Sequence, residues 1–180
     1  MLENLQKQPE DKIIALMGLY AKDKRDNKLD LGVGVYKNNL GITPIMSSIR
    51  EATQILKETQ VTKSYVGLLG NLQFLAYIRN LVLSNIVPNE RVVGAQAPGG
   101  TGALHQLMQL IKASNTESTV WVSDPSWPNH SAILKHLKVP FKKYFYFDPV
   151  TCEVDFSQMV RDLNSMKEKD ILLLHGCCHN

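Results

Sequence analysis

From Arg91 onward the chain alternates between short apolar runs suited to strands and segments whose apolar residues recur three or four apart. Strands are read at 91–97, 119–122, 143–147 and 171–175, with helices after Pro98, at 129–137 and at 155–163. A series of this kind predicts an α/β fold, a mostly parallel sheet with flanking helices, in which ligands gather at the carboxyl ends of the strands.

The first turn of the series is rich in glycine. Pro98 stops the strand, because proline has no amide hydrogen for a sheet ladder, and Leu104, Leu107, Met108 and Ile111 give the following helix one apolar face. Gly99, Gly100 and Gly102 let the backbone approach closely and turn amides toward one point at the helix N-terminus, where the dipole favours an anion; Thr101 adds a hydroxyl. The stretch reads either as a phosphate cradle or as a plain strand-to-helix turn. Two other phosphate motifs do not fit. Residues 94–101 have the glycine spacing of a P-loop but carry Gly100 at the lysine position, and Gly100-Thr101-Gly102 and Gly32-Val33-Gly34 lead to His105 and Lys37 where a dinucleotide fingerprint needs glycine.

Two further candidate regions follow later strands, Asp124 to His130 and His175 to Asn180. Trp127, between two prolines, either stacks on a flat ligand or packs. No metal is expected at the tail, His175-Gly-Cys-Cys-His-Asn180, since adjacent ligands splay apart and no separated Cys-x-x-Cys completes a tetrahedron. The chain has no Gly-x-Ser-x-Gly elbow.

Residues 1–10 read as a polar arm, and 11–25 as a helix started by Asp11. The glycines in 29–36 suit either a bulged edge strand or contact with a ligand, and 38–41 form a turn. An amphipathic helix is predicted at 47–59, a loop with a lone tyrosine at 65–70, and a helix capped by Asn71 that runs through Val82.

A hydrophobic content of 44% over 180 residues suffices for a core. Twenty basic and seventeen acidic residues are interspersed, which argues against nucleic acid as a partner. No apolar run suits a membrane span or a signal peptide, so the expected setting is cytoplasmic and away from membranes. Three cysteines, two of them adjacent, do not suit a disulfide framework.

Read together and in order, Leu31-Gly-Val-Gly-Val-Tyr-Lys37, Tyr65-Val-Gly67, Ala97-Pro-Gly-Gly-Thr-Gly-Ala-Leu104, Trp121-Val-Ser-Asp-Pro-Ser-Trp-Pro-Asn-His130 and the tail resemble the class I pyridoxal-phosphate aminotransferases, most nearly those acting on aspartate. The resemblance implies the N-terminal portion of a fold-type I transferase. Residues 1–43 would be an arm and part of a small domain, and 44–180 a large cofactor-binding domain with an incomplete sheet. It implies pyridoxal 5'-phosphate as cofactor, with Gly99, Gly100 and Thr101 on its phosphate, Trp127 stacked on its ring and Asn180 on its phenolic oxygen. Tyr65 would reach across a homodimer interface to the partner's cofactor. Gly34, Trp127 and Asn180 would line the substrate site, and His130 would support an aspartate at the pyridine nitrogen.

The implied activity is amino-group transfer between L-aspartate and 2-oxoglutarate. Aromatic amino acids are the alternative substrates, and a non-catalytic module binding a phosphate ligand or another subunit is the alternative role. The resemblance places its covalent lysine, its pyridine aspartate and two substrate and phosphate arginines at no position of these 180 residues. No catalytic residue is therefore assigned, and the chain alone is expected to be inactive. An open sheet edge predicts self-association or pairing with a complementary C-terminal fragment.

Overall fold

The computed structural model describes Glu3 and residues 12–32, 34–84 and 86–179. The chain divides into two units, Met1–Ser64 and Tyr65–Asn180. The expected arm, apart from Glu3, and the helix start at Asp11 lie outside the described residues.

The first unit holds two helices, α1 (Lys12–Lys22) and α2 (Ser47–Thr59). Lys28 closes the end of α1 by donating from Nζ to the carbonyls of Tyr20 (2.9 Å) and Asp23 (2.5 Å), where a cation suits the negative end of the helix dipole. Residues 29–36 contain no strand among those described, so the bulged edge strand is not formed. Asp30 instead draws its neighbours into a local turn, accepting from Gly32 N (3.1 Å) and pairing with Lys37 (2.5 Å). A ladder needs a partner strand, and this unit contains no other strand among the described residues. Helix α2 has the predicted bounds, yet none of its residues is buried and Ile49, Ile55 and Leu56 are exposed. Its periodicity selects a face without supplying the surface that would cover it.

The second unit runs α3 (Leu72–Leu83), a 3-10 turn (Asn89–Arg91), α4 (Gly99–Ser114), β1 (Val120–Asp124), α5 (Pro128–His136), β2 (Phe141–Phe145), a hairpin of β3 (Phe147–Asp148) and β4 (Glu153–Val154), α6 (Phe156–Leu163) and β5 (Ile171–Leu172). As expected from its side chain, Asn71 caps α3 by accepting from Phe74 N (3.0 Å); Asp155 caps α6 in the same way, accepting from Gln158 N (2.8 Å). The parallel sheet has the order β2-β1-β5, with Val120 opposite both Phe141 and Ile171. β1 is thus central, and the chain crosses over through α5 to one side and through α6 to the other.

The core lies on one face of this sheet. Val120 and Val122 pack with Ile133, Leu134, Leu137 and Val139, while α4 adds Met108, Leu104 and Ile111. The other side chains of β1, Trp121 and Ser123, are also buried, so the strand is covered on both faces, as a parallel sheet requires. Asp162 of α6 accepts from Phe145 N (2.7 Å) and so fastens the end of β2.

The predicted strand at 91–97 does not join the sheet. Its residues lie in the 3-10 turn and in unpaired backbone, and Gln96 N donates to the loop carbonyl of Leu69 (2.9 Å). Alternation marks a segment able to form a ladder, but the bonds must come from a neighbouring strand. The strand predicted at 143–147 begins earlier, at Phe141, and the last strand is ladder-paired only at Ile171 and Leu172.

Asp170 ties β5 to β1. Its carboxylate accepts from Trp121 Nε1 (2.9 Å), Lys167 N (3.0 Å) and Thr119 N (3.1 Å). The Lys167 amide first, then the indole, hold it below the usual value of 3.8. A depressed carboxylate contributes stability that is present above its unfolded value and lost as the pH falls through its folded value. Asp170→Asn is therefore expected to lower the thermal midpoint at neutral pH. The difference should close as the pH is taken below 3.8, which circular-dichroism melts at several pH values would show.

Candidate functional site

The loops leaving β1, β2 and β5 converge at the carboxyl ends of their strands. Pro128 occupies the first turn of α5, where its missing N–H is not needed and its fixed φ suits helix, so the helix starts at once after Trp127. This brings Trp127 and His130 together edge to face, with ring centroids 5.4 Å apart. Ser126 Oγ lies 2.8 Å from His130 Nδ1 and 3.4 Å from His175 Nε2. His130 and His175 meet edge to face at 5.2 Å. His175 stacks on His179 at 4.2 Å, and His179 stacks on Tyr146 at 3.8 Å.

The hydrogen bonds define one tautomer. His179 Nε2 lies 2.9 Å from the carbonyl of Pro125, which only accepts, so this nitrogen carries the proton and donates it. Burial first, then the neighbouring His175 and His179, hold His130 below the usual 6.5. Burial and His179 do the same to His175. Both rings are neutral at pH 7, able to accept or donate without bringing charge into the cluster. Beneath them Tyr144, whose phenol is pushed up by burial, donates to Leu173 O (3.3 Å).

The glycine turn forms the start of α4. Gly99, Gly100 and Thr101 are exposed, and Gly99 has a φ of +69°, a left-handed conformation that glycine adopts without strain. A Cβ added at Gly99 or Gly100 would meet nothing within 4 Å, and no side chain caps the helix. The first turn is therefore open to an anion, which is the donor set a phosphate requires. Gly102 is different, because a Cβ there would come 3.0 Å from Pro98 Cγ. Its role is close packing against the proline that opens the helix.

Two of the three regions read from the sequence are thus brought together, the one after β1 and the one after β5. Helix α4 packs against α5, but no described hydrogen bond or ring contact joins Gly99, Gly100 or Thr101 to the imidazoles. Tyr65 is fully exposed. Gly34 belongs to the other unit, and Asn180 lies outside the described residues. Ser126, His175 and His179 lie in the two candidate regions read from the sequence but carry no assigned role there, and Tyr146 lies in neither. The available signal was position, since the two histidines follow β5 at the carboxyl end of the sheet.

Beside the cluster, Asp124, Pro125, Phe145, Phe147 and Pro149 line a shallow cavity of about 370 Å³. Asp124 there pairs with Lys143 (2.9 Å). Among the described residues no group of three or more His, Cys, Asp and Glu is arranged to hold a metal, and no helix is long and apolar enough to cross a membrane.

Comparison with known proteins gives these features their setting. The aromatic-amino-acid aminotransferase of Paracoccus denitrificans is 46% identical over 180 residues, covering 100% of this chain and 46% of that protein. The aspartate aminotransferase of Escherichia coli (strain K12) is 37% identical over 183 residues, with the same coverage. Among solved structures, an aromatic-amino-acid aminotransferase from Burkholderia pseudomallei covalently bound to pyridoxal phosphate superposes with a TM-score of 0.93 at 34% identity, covering 100% of this chain and 46% of that one. The chain spans about half the length of these relatives. Residues 26–180 match the family described as aminotransferase class I and II, and with the open helix start and the strand-end cluster in view, the chain belongs to that family.

Proposed function

We propose that this chain supplies the phosphate-binding turn and the ring-covering wall of a pyridoxal-phosphate aminotransferase. The observation that carries the reading is the open, glycine-lined start of α4 in a chain of this family. Gly99, Gly100 and Thr101 would hold the phosphate. Trp127, fixed edge to face on His130, would cover the pyridine ring and keep water from one side of it. His130, with Ser126 on its Nδ1, would hold a proton network behind the ring. Asn180 would bond the cofactor's phenolic oxygen, Gly34 would line the substrate site, and Tyr65 would serve the partner's cofactor in a homodimer. We assign residues 1–43 to an arm and part of a small domain, and 44–180 to the large cofactor-binding domain. When bound, the cofactor supplies an electron sink for the carbon that carries the amino group.

The substrates of this reading are an L-amino acid and a 2-oxo acid. Aspartate with 2-oxoglutarate is one pair. Aromatic amino acids stand beside it, favoured by the higher identity to the relative that carries that name, 46% against 37%. Transfer of the amino group needs a lysine that binds the cofactor aldehyde and moves a proton. The resemblance assigns that role to none of the lysines here, so the 180 residues by themselves should bind the cofactor reversibly and turn over neither substrate pair. A complementary C-terminal part would be required for activity.

Titrating the purified chain with pyridoxal phosphate while following tryptophan fluorescence tests this. Saturable quenching that inorganic phosphate reverses is expected, with Gly100→Asp weakening it about tenfold by placing a carboxylate where the phosphate belongs. Borohydride should trap no stoichiometric adduct on a single lysine. Absence of saturable, phosphate-sensitive binding would overturn the cofactor reading, and turnover by the isolated chain would overturn its dependence on a second part.

A further inference from the structure

The rings at the strand ends form a continuous file. Trp127 and His130 meet at 88°, His130 and His175 at 83°, His175 and His179 at 7°, and His179 and Tyr146 at 11°. These rings come from three separate places, the loop and first turn after β1, the residue after β2, and the segment 173–179 that leaves β5. Beyond two bonds at Leu173, its N–H to Trp121 O (2.9 Å) and Tyr144 Oη to its carbonyl (3.3 Å), the described hydrogen bonds of the segment are those of its histidines. His179 Nε2 donates to Pro125 O and lies 3.2 Å from Ser123 Oγ, and His175 Nε2 lies 3.4 Å from Ser126 Oγ. Two imidazoles face to face at 4.2 Å stack well while neutral and repel when both are charged.

We propose that this file of rings is a pH-operated clasp: with neutral imidazoles it fastens residues 173–179 across the ends of β1 and β2, and acidification charges adjacent rings, whose repulsion releases the segment. The clasp is a property of this chain's own residues and needs no cofactor.

Among the described residues the surrounding elements carry other titratable groups. β1 contributes Asp124, already paired with Lys143 of β2. β2 and the residue after it contribute Tyr144 and Tyr146, the segment itself Cys177 and Cys178, and α6 contributes Asp162, whose carboxylate accepts from Phe145 N and Gln158 Nε2. The sign follows from burial and mutual repulsion, which hold His130 and His175 below 6.5 in the closed form. A base that resists protonation only while the clasp is closed favours closure above its ordinary value. Opening grows as the pH falls from 6.5 through the lower closed-form values.

Histidine ring resonances of the 180-residue chain, followed by NMR with pH, test the proposal together with amide exchange corrected for its intrinsic pH dependence. His130 and His175 should titrate below 6.5, and the stacked shifts of Tyr146 and His179 should be lost over the same range. Protection of residues 173–179 should fall about tenfold for each unit by which the closed-form values are depressed, while amides of β1 and α5 keep theirs. His175→Phe keeps a ring in the file and removes one charge, so its segment should stay docked at pH 5. Should that variant fail to fold, His179→Gln keeps a donor for Pro125 and should raise the midpoint of His175 toward 6.5. Stacked shifts that persist in the parent chain at pH 5, loss of β1 protection together with the segment, opening of His175→Phe over the same pH range as the parent, or an unmoved His175 midpoint in His179→Gln would each overturn the clasp.

Discussion

Leu134→Ala is expected to lower the unfolding free energy of the second unit by about 2–5 kcal/mol, the range for deleting a fully buried leucine side chain. Leu134 lies on the inner face of α5, is completely buried, and packs among Val120 and Val122 of β1, Ile133, Leu137 and Met108 of α4. The core is one-sided and small. Within this unit α3 contributes no buried residue, so little surrounding material can collapse into the space. Since natural domains are stable by only about 5–15 kcal/mol, one such cavity removes a large share of the total. Chemical denaturation followed by circular dichroism would measure the change. Leu134→Met, which nearly conserves volume, should cost less than about 1.5 kcal/mol. Similar losses for both substitutions would show that Leu134 is not central to the core.

Gly70→Ala is the second change of large expected effect. Gly70 has a φ of +90° and donates from its N–H to Gly67 O (2.8 Å), closing the turn before α3. An added Cβ would lie 2.4 Å from Gln96 Cβ and 2.6 Å from its Oε1, closer than such atoms can approach. The side chain of Gln96 cannot swing away freely. Its Oε1 accepts from Asn71 N (3.0 Å), and its own N–H is spent on Leu69 O (2.9 Å). Backbone strain and overpacking together should cost about 2–5 kcal/mol. The pair Gly70→Ala and Gln96→Gly removes the clash and leaves the backbone strain, so a double-mutant cycle should recover part of the loss. Additive effects would mean that the two residues do not press on each other. The neighbouring contact also explains why residues 92–97 lie where they do without a strand partner, since Gln96 anchors them to the 67–71 turn.

Local signals were legible wherever their cause is local. The helix at 47–59 has the bounds its periodicity predicts, and Asn71 caps its helix through a bond that reaches only three residues ahead. Pro98 and the glycines after it place the start of α4, and Gly99 takes up the left-handed conformation that its residue type allows. The strand-helix alternation likewise anticipated the parallel sheet. The strand expected at 91–97 was read from the same kind of pattern and is absent from the ladder, because alternation describes one segment whereas a strand exists only with a neighbour.

The candidate site divides in the same way. Trp127 and His130 lie three residues apart on one helix start, so their meeting is a local event. Ser126 meets His130 four residues on, which is local as well, whereas Tyr146 arrives because β2 pairs beside β1, and His175 and His179 because β5 returns to the far side of β1 and its segment folds back over Pro125. The sequence by itself determined the helices, the Asn71 cap, the glycine-lined helix start and the family resemblance, since helical period, capping bonds and backbone freedom act within a few residues. Only the tertiary structure decided the order β2-β1-β5 and the assembly of the imidazole file from segments about 50 residues apart. Such contacts depend on which strands win each other's hydrogen bonds, and that competition is set by the whole chain.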